Sequence, residues 1–294
     1  MKPHNVSKID DKTEPAEIAN HFQDIYKDLY NSVPSEEKVE GILHNINQNI
    51  DDEDINIVDS VDKSIIKEAI DKLKNGKSDV DKDFGSDALI NGCDVISEPL
   101  SFLIKTFLIH GSIPLFLLVC SLVPIVKDKL GNLNSSDNHR AIAISSLLLK
   151  ILDWVIITLH GDKIQFSDFQ FGFSKDNSTT MCTGIATEVI SYYTRHNKSV
   201  YCCLLDLKKA FDKVEFGKLF EKLNERNFPK IFLRLLIFIY QKQSCQVKWE
   251  SKLSHRFTVK NGVRQGAVLS PSLFSLYIDA LLIRLKKIWL WMSH

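Results

Sequence analysis

The 294-residue chain has no net charge, no CxxC pair among its six cysteines and no internal repeat. Each absence removes a class of protein. Without paired spacing, Cys93, Cys120, Cys182, Cys202, Cys203 and Cys245 fit neither a zinc site nor a disulfide framework, and they read as reduced, partly buried thiols in a reducing compartment. The opening MKPHNVSKID lacks the apolar segment of a secretory leader. No apolar run reaches the roughly 18 residues that a spanning helix needs, and the best candidate, Ser112 to Val126, is broken by Pro114 and Pro124. The expectation is an intracellular protein, in nucleus or cytoplasm, neither secreted nor held in a membrane. Hydrophobic residues at 44% and charged residues at 25% are ordinary for a globular chain, which argues against collagen-like and disordered classes.

The zero net charge conceals a division. Residues 1–60 hold 5 basic and 14 acidic side chains, leaving 32 against 23 for the rest, and beyond Asp212 the ratio is 15 to 5. A basic body behind an acidic leader suits a polyanion-binding surface, although solvated charge alone gives the same count. The leader reads as one short helix around Ile18, Phe22, Ile25, Tyr26 and Leu29, followed by a linker. Val61, Ile65, Ile66, Ala69, Ile70 and Leu73 then keep a helical period, with Asp62 as cap and Gly76 as stop, and start the folded body. Two apolar helices, at about 95–109 and 146–159, flank the strand-like CSLVPIVKD and a polar loop. Helices and strands mix without a βαβ repeat, so the fold class is α+β.

Chemistry enters at SVYCCLLDLKKAFDKVEFGKLFEKL, residues 199–223. Seven apolar residues around Asp206, from Val200 to Leu207, predict a strand buried on both faces that delivers a carboxylate at its end. Taken alone, Asp206 reads first as the N-cap of a helix starting near Lys208, the ordinary place of an aspartate at a strand-to-helix turn. In NGVRQGAVLSPSLFSLYIDALLIRL, residues 261–285, Gln265 and Gly266 form a turn that allows a close approach of backbone to ligand. Ser270 and Pro271 then open a helix whose face of Leu273, Phe274, Tyr277, Ile278, Leu281, Leu282 and Leu285 reads as core.

Together these segments resemble motifs A and B of reverse transcriptases, closely those of non-LTR (LINE-like) retrotransposons. Three more stretches stand in the family's order: the segment ending in VPIVKDK, then DNHRAIAISSLLLKILDWVI in place of its NYRPI block, then QFGFSKDNSTTMC in place of its QxGFR block. The resemblance covers about 61–285. It implies the fingers and partial palm of a right-hand polymerase, an antiparallel sheet with packed helices, divided as acidic leader 1–60, fingers-like region 61–180, partial palm 181–286 and a non-family tail 287–294. RNA template, DNA primer and dNTP would be its partners, with no membrane and no small-molecule cofactor.

Such polymerases use two divalent ions about 3.5–4 Å apart. By resemblance Asp206 is the catalytic, metal-binding aspartate, with the Leu207 carbonyl beside it as a ligand for Mg2+. Phe211 matches the gate beneath the sugar, Gln265 and Gly266 the turn against the incoming nucleotide, and Lys127 and Arg140 the finger cations that meet the triphosphate. Asp212 is expected to be a cap or salt-bridge partner. His139 and Ala141 depart from the Tyr and Pro of the usual Tyr-Arg-Pro-Ile, Ser174 replaces an arginine, and GKSDVDKDFGSD is short of the family's glycines. The YADD-like C motif is missing: the Asp-Asp pairs are Asp10-Asp11 and Asp51-Asp52, and after Asp212 the only aspartate is Asp279, inside a helix. The resemblance therefore implies a reverse transcriptase fragment, truncated before YADD and with little polymerase activity alone. A catalytically dead nucleic-acid-binding module and a helical scaffold remain as alternatives.

Overall fold

Pro15 in its first turn and the spacing of Ile18, Phe22 and Tyr26 make α1 (Pro15–Leu29) an amphipathic helix, and all three apolar positions are buried. It belongs to a computed structural model that describes residues 8–33, 35–80, 85–168, 170–173 and 177–292, with side chains described through residue 285. Two further helices follow, α2 (Glu36–Gln48) and the short α3 (Asp52–Asn56), which is closed by a capping box between Asp51 and Asp54. The leader is therefore not one helix and a linker. Its Phe22, Val39 and Ile46 sit in the same core as the body, because three amphipathic turns can bury apolar stripes while their carboxylates face out or pair. Asp51 and Asp54 reach Lys230, at 3.3 and 2.9 Å, and Glu36 reaches Lys260 at 2.6 Å, so part of the charge division is satisfied within the chain.

Next come α4 (Lys63–Asp71), α5 (Ser86–Asn91) and α6 (Cys93–His110). Asp62 caps α4 by accepting from the Ser64 and Ile65 amides, as its position predicts. Strand β1 (Val119–Val126) runs antiparallel to β2 (His139–Ile144), with Val126 opposite His139. Pro124 lies past the last β1 residue paired with any strand but β2, on an open flank where a strand tolerates proline. Ser146 caps α7 (Leu147–His160) through the Leu149 amide, and α8 (Thr179–Arg195) follows.

After α9 (Phe216–Glu225) and α10 (Lys230–Lys242) the chain re-enters the sheet as β3 (Ser244–Trp249), then β4 (Lys252–Leu253) and β5 (Phe257–Thr258), and closes with α11 (Ser270–Met292). The sheet order is β2-β1-β3-β4, with β5 also on β3. It is mixed, not antiparallel: the helices between β1 and β3 return the chain to the same end, so these two strands pair in parallel, Cys120 beside Cys245. Phe22 stacks on Trp249 of β3, with ring centroids 5.5 Å apart, and meets the His139 ring edge-on at 5.3 Å. That stack fastens α1 to the sheet, and burying a ring of this size is worth roughly 1.5–3 kcal/mol.

The strand expected at 199–207 does not form. These residues are coil outside every strand, with Tyr201 and Leu204 at 94% and 96% exposure. An apolar run becomes a strand only where neighbours accept its backbone bonds, and none does among the described residues. In α8 likewise no residue is buried. No helix of the described residues is long and apolar enough to cross a membrane.

Candidate nucleic-acid interface

Two of the expected cations sit on the β1–β2 hairpin. Lys127, just beyond β1, bonds through its amide to the Asn138 carbonyl and through Nζ to the Asp137 carbonyl, both at 2.8 Å. Arg140 is exposed on β2, opposite Ile125. The 265–266 turn docks on the same strand: the Ala143 amide donates to the Gln265 carbonyl at 2.7 Å. Gly266 has φ +107°, and a Cβ there would lie 3.0 Å from the Ala143 carbonyl oxygen. The close approach that demands a glycine is thus to β2 itself, not to a ligand, although the residue remains exposed.

Asp212 joins this turn to the segment leaving the A block. It is buried, and its Oδ1 accepts from the Tyr30 hydroxyl at 2.8 Å and from the Gln265 amide at 2.7 Å. Its carbonyl accepts from the Asn261 side chain at 2.7 Å. Asp212 is therefore neither a helix cap nor an ion-pair member among the described residues. Sequence alone suggests only those roles, because the Tyr30 donor stands 182 residues away. Burial pushes its carboxyl above the usual range, with the Tyr30 and Gln265 bonds and the fields of Lys209 and Lys127 opposing. The signal available in the sequence is its place next to Phe211.

Phe211 is half-buried and stacks on Phe274 of α11 at 4.5 Å and 17°, with Phe173 edge-on at 5.9 Å. Its carbonyl accepts from the Val263 amide at 2.8 Å. Arg140, Phe211, Gln265 and Gly266 are thus carried on segments bonded to one another. Asp206 and Leu207 are not brought in: both lie in the exposed coil before the turn, Leu207 at 51% exposure. Among the described residues no three His, Cys, Asp or Glu side chains cluster in a way that could hold a metal ion. One exposed carboxylate and a carbonyl do not fit a two-ion centre. Ser174 lies outside the described residues, as do the side chains of the 287–294 tail.

Two buried networks join residues to which the motif blocks assign no role. Asp153 of α7 and Arg264 are both buried, 3.9 Å apart, and Asp153 Oδ2 also accepts from the Val268 and Leu269 amides at 3.2 and 3.4 Å. Burial pushes the Asp153 carboxyl up, with Arg264 opposing. Lone charges inside apolar stretches need partners, and that is the signal a sequence can carry.

In α11, Asp279 accepts from the Ser167 amide and hydroxyl at 2.9 and 2.7 Å and from Gln170 at 3.1 Å, and it pairs with Arg226 at 3.0 Å. This network turns the buried face of α11 to Leu273, Leu276 and Asp279, leaving Leu281 and Leu285 exposed at 42% and 41%, against the expected stripe. Burial raises the Asp279 carboxyl, but the bonds from Ser167 and Gln170 and the Arg226 charge outweigh it and the net direction is down. A lowered carboxyl stabilises the fold above the ordinary value and loses that contribution as pH falls through the native one. Asp279→Asn should therefore cost about 1–3 kcal/mol near neutrality. In urea titrations across pH the gap to wild type should close toward acid.

With the fold and these contacts in place, the chain belongs to the reverse transcriptase (RNA-dependent DNA polymerase) family, whose model matches residues 127–292, more than half of its length. It is similar to the retrovirus-related Pol polyprotein of the type-2 retrotransposable element R2DM of Drosophila melanogaster, 29% identical over 145 residues, 49% of this chain and 14% of that protein. It also resembles the Pol polyproteins of the type-1 element R2 from Nasonia vitripennis, 26% identical over 65% of this chain and 18% of the relative, and from Popillia japonica, 24% identical over 69% and 28%. The chain spans 14% to 28% of the length of these relatives. The resemblance to non-LTR retrotransposon reverse transcriptases read from the motif blocks is borne out.

Proposed function

We propose that this chain is the fingers (61–180) and partial palm (181–286) of a retrotransposon RNA-directed DNA polymerase, holding RNA template, DNA primer and incoming dNTP. The observation that carries this reading is the closure of Ala143 and Asp212 on Gln265, at 2.7 Å each. It gathers the nucleotide-side residues of three separate sequence blocks. In this reading Lys127 and Arg140 meet triphosphate charge, Arg140 with a forked guanidinium. The Phe211 ring, clamped by Phe274, sets the floor beneath the sugar. Gln265 and Gly266, braced on β2, present flat backbone to the nascent base pair. In the family, two Mg2+ ions would activate the primer hydroxyl and hold the triphosphate. Asp206 and the Leu207 carbonyl are the donors this chain offers, too few to carry both charges.

The test is template-dependent extension of a labelled primer with dNTP and Mg2+, run beside a gel-shift of the same duplex. The purified chain should retain the duplex with steep salt dependence and add no nucleotide. Incorporation lost in Asp206→Asn would overturn the inactivity, and failure to retain the duplex at low salt would overturn the whole reading in favour of a scaffold.

A further inference from the structure

Helix α6 is apolar on two faces. One buries Ile104, Phe107 and Leu108 and packs on α4 and α10. The other stands in solvent, where Val95 and Phe102 are 82% and 74% exposed, with Pro99 and Ile109 exposed beside them. A helix that is apolar all round belongs in an interior, and no described residue supplies one on this side. Val95, Pro99, Phe102, Thr106 and Ile109 follow one another at intervals of four, three, four and three, the spacing of a seam that receives a second helix. Thr106, half-buried, adds no polar demand to the seam, because its hydroxyl donates to the Phe102 carbonyl at 2.8 Å. Charge beside the seam says which helix. Glu98 and Lys105 lie on the same flank, the one toward α4, where Glu98 pairs with Lys63 at 3.6 Å and Lys105 with Asp59, just before α4, at 3.2 Å. Such exposed pairs contribute little, so both groups can also serve a partner. A two-fold axis across the seam brings like flanks together, and each contact occurs twice. A second α6 laid antiparallel about Phe102 would thus set Glu98 opposite Lys105 at both ends. In the same register Val95 meets Ile109, Pro99 meets Thr106 and Phe102 meets its own copy.

We propose that this face of α6 is the contact surface of a symmetric dimer, occupied by α6 of a second copy of this chain running antiparallel. The contact is self-complementary, so it closes on two copies and does not propagate. One helix per copy makes an interface below about 1,200 Å², the small end of the specific range, so the dissociation constant should be micromolar, about 1–100 µM. No residue assigned to the nucleotide side takes part, and the dimer stands or falls independently of the polymerase-fragment reading.

The test is sedimentation velocity of the purified chain over about 1–200 µM, a range that brackets such a constant. Wild type should pass from monomer to dimer. Phe102→Glu, which sets two carboxylates against each other at the two-fold axis, should stay monomeric throughout and keep the wild-type urea midpoint, since the side chain it replaces is exposed. Glu98→Lys and Lys105→Glu should each dimerise about tenfold more weakly on their own, because like charges then face one another. Mixed in equal amounts, the two should associate as tightly as wild type, with unlike charges at both ends of the seam, which a contact elsewhere on the molecule would not do. Wild type that remains monomeric at the highest concentration overturns the proposal. So does a dimer that survives Phe102→Glu, or a mixture that associates no more tightly than its components.

Discussion

Asp153→Ala should lower the unfolding free energy by about 3–5 kcal/mol, the cost of stranding one member of a buried ion pair. The size of the effect follows from what the variant leaves behind. Arg264 is buried, its Nε and Nη1 have no hydrogen-bond partner among the described residues, and its guanidinium lies 5.8 Å from the centre of the buried Tyr240 ring. Asp153 is the only carboxylate paired with it among the described residues. Removing that carboxylate also frees the Val268 and Leu269 amides just before α11. The damage therefore lands on the segment that follows the Gln265 turn, and duplex binding should weaken with stability. Against a typical domain stability of about 5–15 kcal/mol, such a loss is readily measured by urea titration. Asp153→Leu/Arg264→Met replaces both charges by apolar volume and should recover most of it. If the double variant were no more stable than Asp153→Ala, packing rather than the stranded charge would be responsible.

What can be read in the sequence is local. The Asp62 cap, the helices near 95–109 and 146–159 and the strand within CSLVPIVKD each carry their signal within a few residues, and each forms where expected. What cannot be read depends on partners far along the chain. The acidic leader looks solvated because its carboxylates dominate the count, yet the Phe22 stack on Trp249 spans most of the sequence. Residues 199–207 have the apolar pattern of a strand, but pattern supplies side chains and not the neighbouring backbone that a strand requires. The motif blocks identify Gln265 and Phe211. They do not show that both depend on Asp212, because the third member of that contact, Tyr30, lies outside the motifs.

Gly262→Ala is expected to be nearly as damaging, by about 2–4 kcal/mol, through backbone alone. Gly262 has φ +92°, a region that costs residues with a Cβ roughly 1–3 kcal/mol. A Cβ built there would lie 2.7 Å from the Asp212 carbonyl oxygen and 3.0 Å from its C and Cα atoms. These are main-chain atoms, so no side chain can swing aside. The Asp212 carbonyl already holds the Asn261 amide, while the Gly262 and Val263 amides bond to the Val214 and Phe211 carbonyls, both at 2.8 Å. Relief of the clash must therefore separate residues 261–265 from 211–214, which pulls Gln265 off Asp212 and Phe211 off its seat. Two readouts should move together: a lower urea midpoint and weaker dNTP binding in the fraction still folded. Gly41→Ala serves as the control, since nothing lies within 4 Å of its Cβ position in α2, and an alanine in a helix interior stabilises by roughly 0.5–1 kcal/mol. Wild-type dNTP binding by folded Gly262→Ala would show that the junction between the two blocks is structural only, and that the Gln265 turn holds its shape through β2.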